Sequence, residues 1–129
     1  MRVVHYSIQG NHLHLIIEID DPLLLPRAIQ GLSVRLAKAL NRLADRRGKV
    51  FLGRYHAHVL ETPRQVGNAV RYVLENFRHH LREDVAPSGA DPCSSAVWLV
   101  TRPPADAPVV PPRTWLLRTQ SMLPASRAI

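Results

Sequence analysis

The chain has 129 residues, 46% of them apolar, which suits one compact domain plus a tail and excludes disorder of the whole chain. Seventeen Lys and Arg against ten Asp and Glu give a formal charge of +7 and a pI near 10.7, which favours a polyanionic partner; nucleic acid ranks ahead of a membrane because no basic amphipathic helix presents Trp or Phe on its apolar face. The single cysteine, Cys93, excludes an internal disulfide framework and a Cys-built zinc site, and no apolar stretch is long enough for a signal peptide or a span, so a soluble cytoplasmic protein is expected.

Val3 to Ile8 and His12 to Ile19 read as two strands around Gln9-Gly10-Asn11, whose Gly-Asn pair suits a tight hairpin. In the second strand Leu13, Leu15, Ile17 and Ile19 alternate with His12, His14, Ile16 and Glu18. Period-2 alternation puts the first set on one face, expected to be the core face, and both histidines on the other. Asp20-Asp21-Pro22 closes the strand, and a helix is predicted from about Pro26 to Arg46-Arg47-Gly48. Ile29, Leu32, Leu36, Leu40 and Leu43 recur at three- and four-residue steps as its expected buried stripe, with Arg27, Arg35, Lys38, Arg42 and Arg46 on the remaining surface.

Val50 to Leu60 reads as a further strand carrying Arg54, Tyr55, His56 and His58, and Thr62-Pro63 opens a second helix extending to about His80. Val66, Ala69, Val70, Val73, Phe77 and Leu81 form its apolar stripe, while Gln65, Asn68, Tyr72 and Asn76 lie on another side. After Leu81 the composition changes: eight of the eleven prolines fall between Pro87 and Pro124, and no apolar period persists. An extended tail is expected there, docked through Trp98 and Trp115-Leu116-Leu117. The division is thus residues 1–83 as the domain and 84–129 as a Pro-rich C-terminal extension.

Two groups of residues can carry chemistry. Two imidazoles at i and i+2 of a strand, His12 and His14, point the same way and can share one metal ion, although two surface histidines on a half-exposed sheet satisfy the same spacing. Tyr72 stands among amides rather than among Val and Phe, and Asn76, one turn on, is placed to share whatever Tyr72 faces and to offer an amide oxygen to a metal shell. Arg54, Arg64, Arg71, Arg78, Arg35, Lys38 and Arg42 together describe a surface able to neutralise several phosphates, and the scarcity of aromatics, 5%, argues against extensive base stacking. No phosphate loop, dinucleotide fingerprint, nucleophile elbow or paired-carboxylate arrangement is present in the sequence.

The run from His5 to Ile16, with His12-Leu13-His14 at its centre, resembles the strand pair of the IS200-like transposases, which include the repeat-associated tyrosine transposases of the HUH single-strand nuclease superfamily. Gly53-Arg54-Tyr55-His56 with Leu60-Glu61-Thr62-Pro63 resembles their next strand and helix start, and Arg71-Tyr72-Val73-Leu74-Glu75-Asn76 their catalytic segment. The resemblance spans roughly residues 3 to 82. It implies a ferredoxin-like α+β fold, an antiparallel sheet with helices on one face, here lacking the family's first strand and helix, since Met1 falls where the third element would begin. It further implies that His12, His14 and Asn76 hold a Mg or Mn cation. Tyr72 would attack the scissile phosphate of single-stranded or hairpin DNA, forming a 5′-phosphotyrosine bond without ATP. Family members often pair, which leaves a homodimer open, with Tyr72 serving its own or a neighbour's site. Two alternatives stay open: a non-catalytic DNA-binding remnant of such a transposase, and a water-using nuclease that needs His12 and His14 but not Tyr72.

Overall fold

The computed structural model describes residues 1–75, 90–100 and 104–120. It is an α+β structure with one two-stranded antiparallel sheet, and it divides into two compact units, Ile19–Val59 (with Met1) and Arg2–Glu18 together with Leu60–Ile129. Among the described residues no helix is long and apolar enough to cross a membrane.

In the second unit, β1 (Arg2–Gln9) and β2 (His12–Glu18) form a hairpin with Ser7 opposite His14 and Gln9 opposite His12. Gly10 takes the turn with φ +47°, a backbone conformation that costs glycine little. The register shifts between Val3 and His5, so Val4 is an extra residue; consecutive Val4 and His5 are both buried. Helix α2 (Pro63–Glu75) packs on the sheet through Val66, Val70 and Val73, which form the core with Val4, Ile16 and Leu117. A short helix α3 (Val97–Val100) and a further helix α4 (Trp115–Gln120) follow among the described residues, and Leu117 of α4 completes that core.

The strand faces depart from expectation. Ile16 and Glu18 are buried, while Leu13, Leu15 and Ile17 are only partly covered, so the histidine-bearing face, expected to be the solvent side, is the one that meets the core. Its polar members bond to one another and to residues far along the chain. The Gln9 amide donates to Ser7 Oγ at 2.7 Å and to Asp91 Oδ2 at 3.0 Å, and Glu18 accepts from the Arg113 and Thr114 N–H groups and the Thr114 hydroxyl at 2.8–3.0 Å. Satisfied in this way, buried polar groups cost little.

The described residues of the Pro-rich extension pair with the sheet. Ile8 N–H donates to Cys93 O at 2.9 Å and Ser95 N–H to Tyr6 O at 2.9 Å, laying residues 93–95 along the edge of β1 away from β2. Val110 N–H donates to Val3 O at 3.0 Å further along the same strand. Of the three expected docking residues near the end of the chain, Leu117 is buried and Leu116 partly so, but Trp115 is 65% exposed.

In the first unit, Asp21 caps a 3₁₀ turn at Pro22–Leu24, which leads into α1 (Leu25–Leu43). The helix stops short of Arg46-Gly48, where Asp45 at φ +45° turns the chain. None of its residues is buried, and Leu40 and Leu43 are exposed, contrary to the expected buried stripe: α1 is the one long element of its unit, which supplies no second layer for it. The strand expected over Val50 to Leu60 does not form. Among the described residues nothing pairs with that stretch, and without a partner ladder alternation alone cannot hold a strand.

Candidate functional site

A capping box sets the start of α2. Gln65 N–H donates to Thr62 Oγ1 at 3.2 Å, and Gln65 Oε1 accepts from the N–H groups of Thr62 at 3.0 Å and Glu61 at 2.8 Å. Gln65, placed by periodicity on the same side as Tyr72, therefore serves the helix end; the Thr-x-x-Gln spacing was the signal for that role. With the start fixed and Val66, Val70 and Val73 pressed onto the sheet, Tyr72 emerges beside the stripe, 52% exposed.

From there the Tyr72 ring meets His14 edge to face, with ring centroids 5.3 Å apart and planes at 85°. His14 in turn stacks on His12 at 6.0 Å with planes 3° apart. The three sequence-selected aromatic residues thus form one continuous row, His12 exposed at its outer end and His14 partly buried. Arg71 is exposed next to Tyr72 on α2. Arg35, Lys38 and Arg42, at helical steps on α1, and Arg54 are exposed in the other unit. Asn76 and Arg78 lie outside the described residues, as do Phe77 and Leu81.

Whether the histidine pair suits a divalent ion can be tested on its geometry. With metal–imidazole bonds of about 2.1 Å, neighbouring ligand rings sit closer together than the 6.0 Å between these centroids, so the pair must draw together to share one ion. Lone pairs in parallel planes do not converge, so one ring must turn about its Cβ–Cγ bond, which the exposed His12 can do. No group of three or more His, Cys, Asp or Glu able to hold a metal occurs among the described residues. With a ring turned, the pair would supply two ligands, and the remainder would come from oxygen donors such as an amide, phosphate or water.

Two titratable groups that sequence reasoning did not single out are held away from their ordinary values. Burial lowers the pKa of His5, whose Nδ1 lies 3.2 Å from Ser95 Oγ. Burial alone would raise Glu18, but the hydrogen bonds from Thr114, Arg113 and Arg2 outweigh it and lower its pKa. The Arg2 contact is an ion pair at 3.5 Å rather than a well-formed hydrogen bond. Periodicity could not find either role, since the partners lie about ninety positions away.

No protein-family model, curated protein or solved structure matches the chain.

Proposed function

We propose that the protein is a transposase-like endonuclease and strand transferase acting on single-stranded or hairpin DNA, with Tyr72 as nucleophile and His12 and His14 as ligands of a divalent cation, Mn or Mg. The observation that carries this reading is the row His12–His14–Tyr72, in which the tyrosine ring adjoins a histidine pair on a neighbouring strand. Three supports add to it: the order and spacing of the motifs that resemble the IS200-like transposases, the net charge of +7, and the exposure of Tyr72. The ferredoxin-like arrangement is part of the same proposal, as are Asn76 as a further ligand and a homodimer.

When bound, the cation would polarise the scissile phosphate and offset its charge. Tyr72, exposed beside the histidines, gives up its phenolic proton and attacks phosphorus. The bond to the 3′ oxygen breaks, that oxygen leaves as a hydroxyl after taking up a proton, and the 5′ phosphate stays on Tyr72. Attack by another strand's 3′-hydroxyl then releases the tyrosine, so the phosphoester energy is conserved. Arg71, exposed on the same helix, would meet the phosphate backbone of the bound DNA.

Tyr72→Phe removes only the attacking oxygen. Incubation of a labelled single-stranded oligonucleotide with Mn or Mg should give a denaturation-resistant adduct with the unmodified protein and none with the variant. Free cleavage products persisting in the variant would replace this reading with a water-using nuclease, and DNA binding without cleavage by either protein would replace it with a binding remnant.

A further inference from the structure

The stretch that the sequence marks as a strand holds a second pair of histidines, His56 and His58, again at i and i+2. From Leu52 to Val59 every residue is exposed, and from Arg54 to Val59 no turn, bend or helix interrupts the chain. Among the described residues no hydrogen bond engages a backbone group between Val50 and Val59. Alternation along such an extended run puts Arg54, His56 and His58 on one side and Tyr55, Ala57 and Val59 on the other. Tyr55 is 45% and Val59 74% exposed, so neither side is covered.

Two imidazoles on one side, with no carboxylate between Val50 and Leu60, suit an ion that takes nitrogen ligands, such as Zn, rather than Mg or Ca. One chain stops short of a complete shell. Zn sites draw three or four ligands from protein, and no group of three or more His, Cys, Asp or Glu able to hold a metal occurs among the described residues. The segment is self-complementary about Ala57. When two copies run antiparallel about a two-fold axis at Ala57, Tyr55 lies opposite the partner's Val59, and His56 opposite the partner's His58. Opposite residues share a face, so one face gathers the Tyr–Val pairs around Ala57 and the other gathers four imidazoles. Their Cα atoms would stand about 4.5–5.5 Å apart across the ribbon and about 6.6 Å apart along it. That spacing lets rings from both strands converge on one ion.

We propose that His56 and His58 are half of an interchain Zn site, completed by the same two residues of a second copy, so that the ion joins two chains through residues 54–59. A two-stranded ribbon of this length is marginal in water by itself, which makes the pairing depend on the metal. The site is separate from the His12–His14–Tyr72 row and does not depend on the reading given to that row.

Sedimentation velocity and calorimetry of the full chain, titrated with Zn and in parallel with Mg, test it. Zn should double the mass of the particle and Mg should leave it unchanged. His56→Ala should abolish the doubling and lower Zn uptake by one ion per two chains, whereas His12→Ala should keep the doubling; both side chains are exposed, so folding is preserved. Ala57→His combined with His58→Ala keeps two imidazoles but sends them to opposite faces of the strand, and should also abolish the doubling. The proposal is overturned if Zn leaves the mass unchanged, if the doubling survives His56→Ala or the shifted pair, or if it is lost with His12→Ala.

Discussion

At the scale of single residues, His5 and Glu18 make the fold sensitive to acid in two separate windows. The folded pKa of His5 lies below its ordinary 6.5. Above that pH folded and unfolded chains both keep the ring neutral; as pH falls through 6.5 the unfolded chain takes up a proton that the folded chain refuses, and stability is lost until the folded pKa is passed. Glu18, lowered from 4.5, repeats the pattern further down, with stability present above 4.5 and lost as pH falls through its folded value. Urea unfolding between pH 8 and 5 should therefore show a loss that His5→Gln reduces; an unchanged pH slope in that variant would remove His5 from the explanation. The histidine pair is expected to act at the same scale through metal. His12→Ala should weaken Mn binding, read by calorimetry, by more than the roughly 10–100-fold typical of losing an outer partner of a metal ligand. Folding should be unaffected because the side chain is exposed; unaltered Mn affinity would dismiss the pair as ligands.

At the scale of elements, the hairpin and α2 were legible because their signals are local. Gly10 at the turn and the Thr62–Gln65 box each act within four residues. The assignment of strand faces was not legible. Alternation gives apolar residues to the core, yet Ser7, Gln9 and Glu18 are buried by partners at Asp91, Arg113 and Thr114, which no local pattern announces. The strand expected over residues 50–60 failed for a related reason, since strand identity depends on a neighbour. The row of His12, His14 and Tyr72 was half legible: spacing put the two imidazoles on one face and the tyrosine beside the helix stripe, but only tertiary packing brings His14 and Tyr72 into contact. Two substitutions measure how far these elements depend on one another. Thr62→Ala removes the box and should cost about 1 kcal/mol, with α2 fraying from its start. Leu117→Ala, in the Pro-rich extension but 5% exposed within the core of α2 and the sheet, should cost about 2–5 kcal/mol. If Leu117→Ala were neutral by chemical denaturation, the extension would contribute nothing to that core.

At the scale of the whole molecule, charge is the property that both units share. Helix α1 carries Arg27, Arg35, Lys38 and Arg42 with no acidic residue between Leu25 and Leu43, and α2 contributes Arg64 and Arg71 against Glu75 alone. All of these cations are exposed, so each is surrounded by water and mobile counterions until a polyanion replaces them. Release of those counterions makes binding depend on salt in proportion to the phosphates neutralised, with a log–log slope of about −0.7 per phosphate on a single strand. If about five phosphates are engaged, raising salt from about 50 to 200 mM should weaken binding to a single-stranded oligonucleotide about 100-fold. Fluorescence anisotropy over that range measures the slope directly. Arg35→Gln with Arg42→Gln should make it shallower by up to about 1.4 if both touch phosphate, and Arg71→Gln by about 0.7. The affinity should fall to a similar degree for unrelated sequences, because phosphate contacts carry no base information. A slope near zero would remove the electrostatic footprint on which the nucleic-acid reading depends, and tighter binding to vesicles of anionic lipid than to the oligonucleotide would assign the same basic surface to a membrane instead.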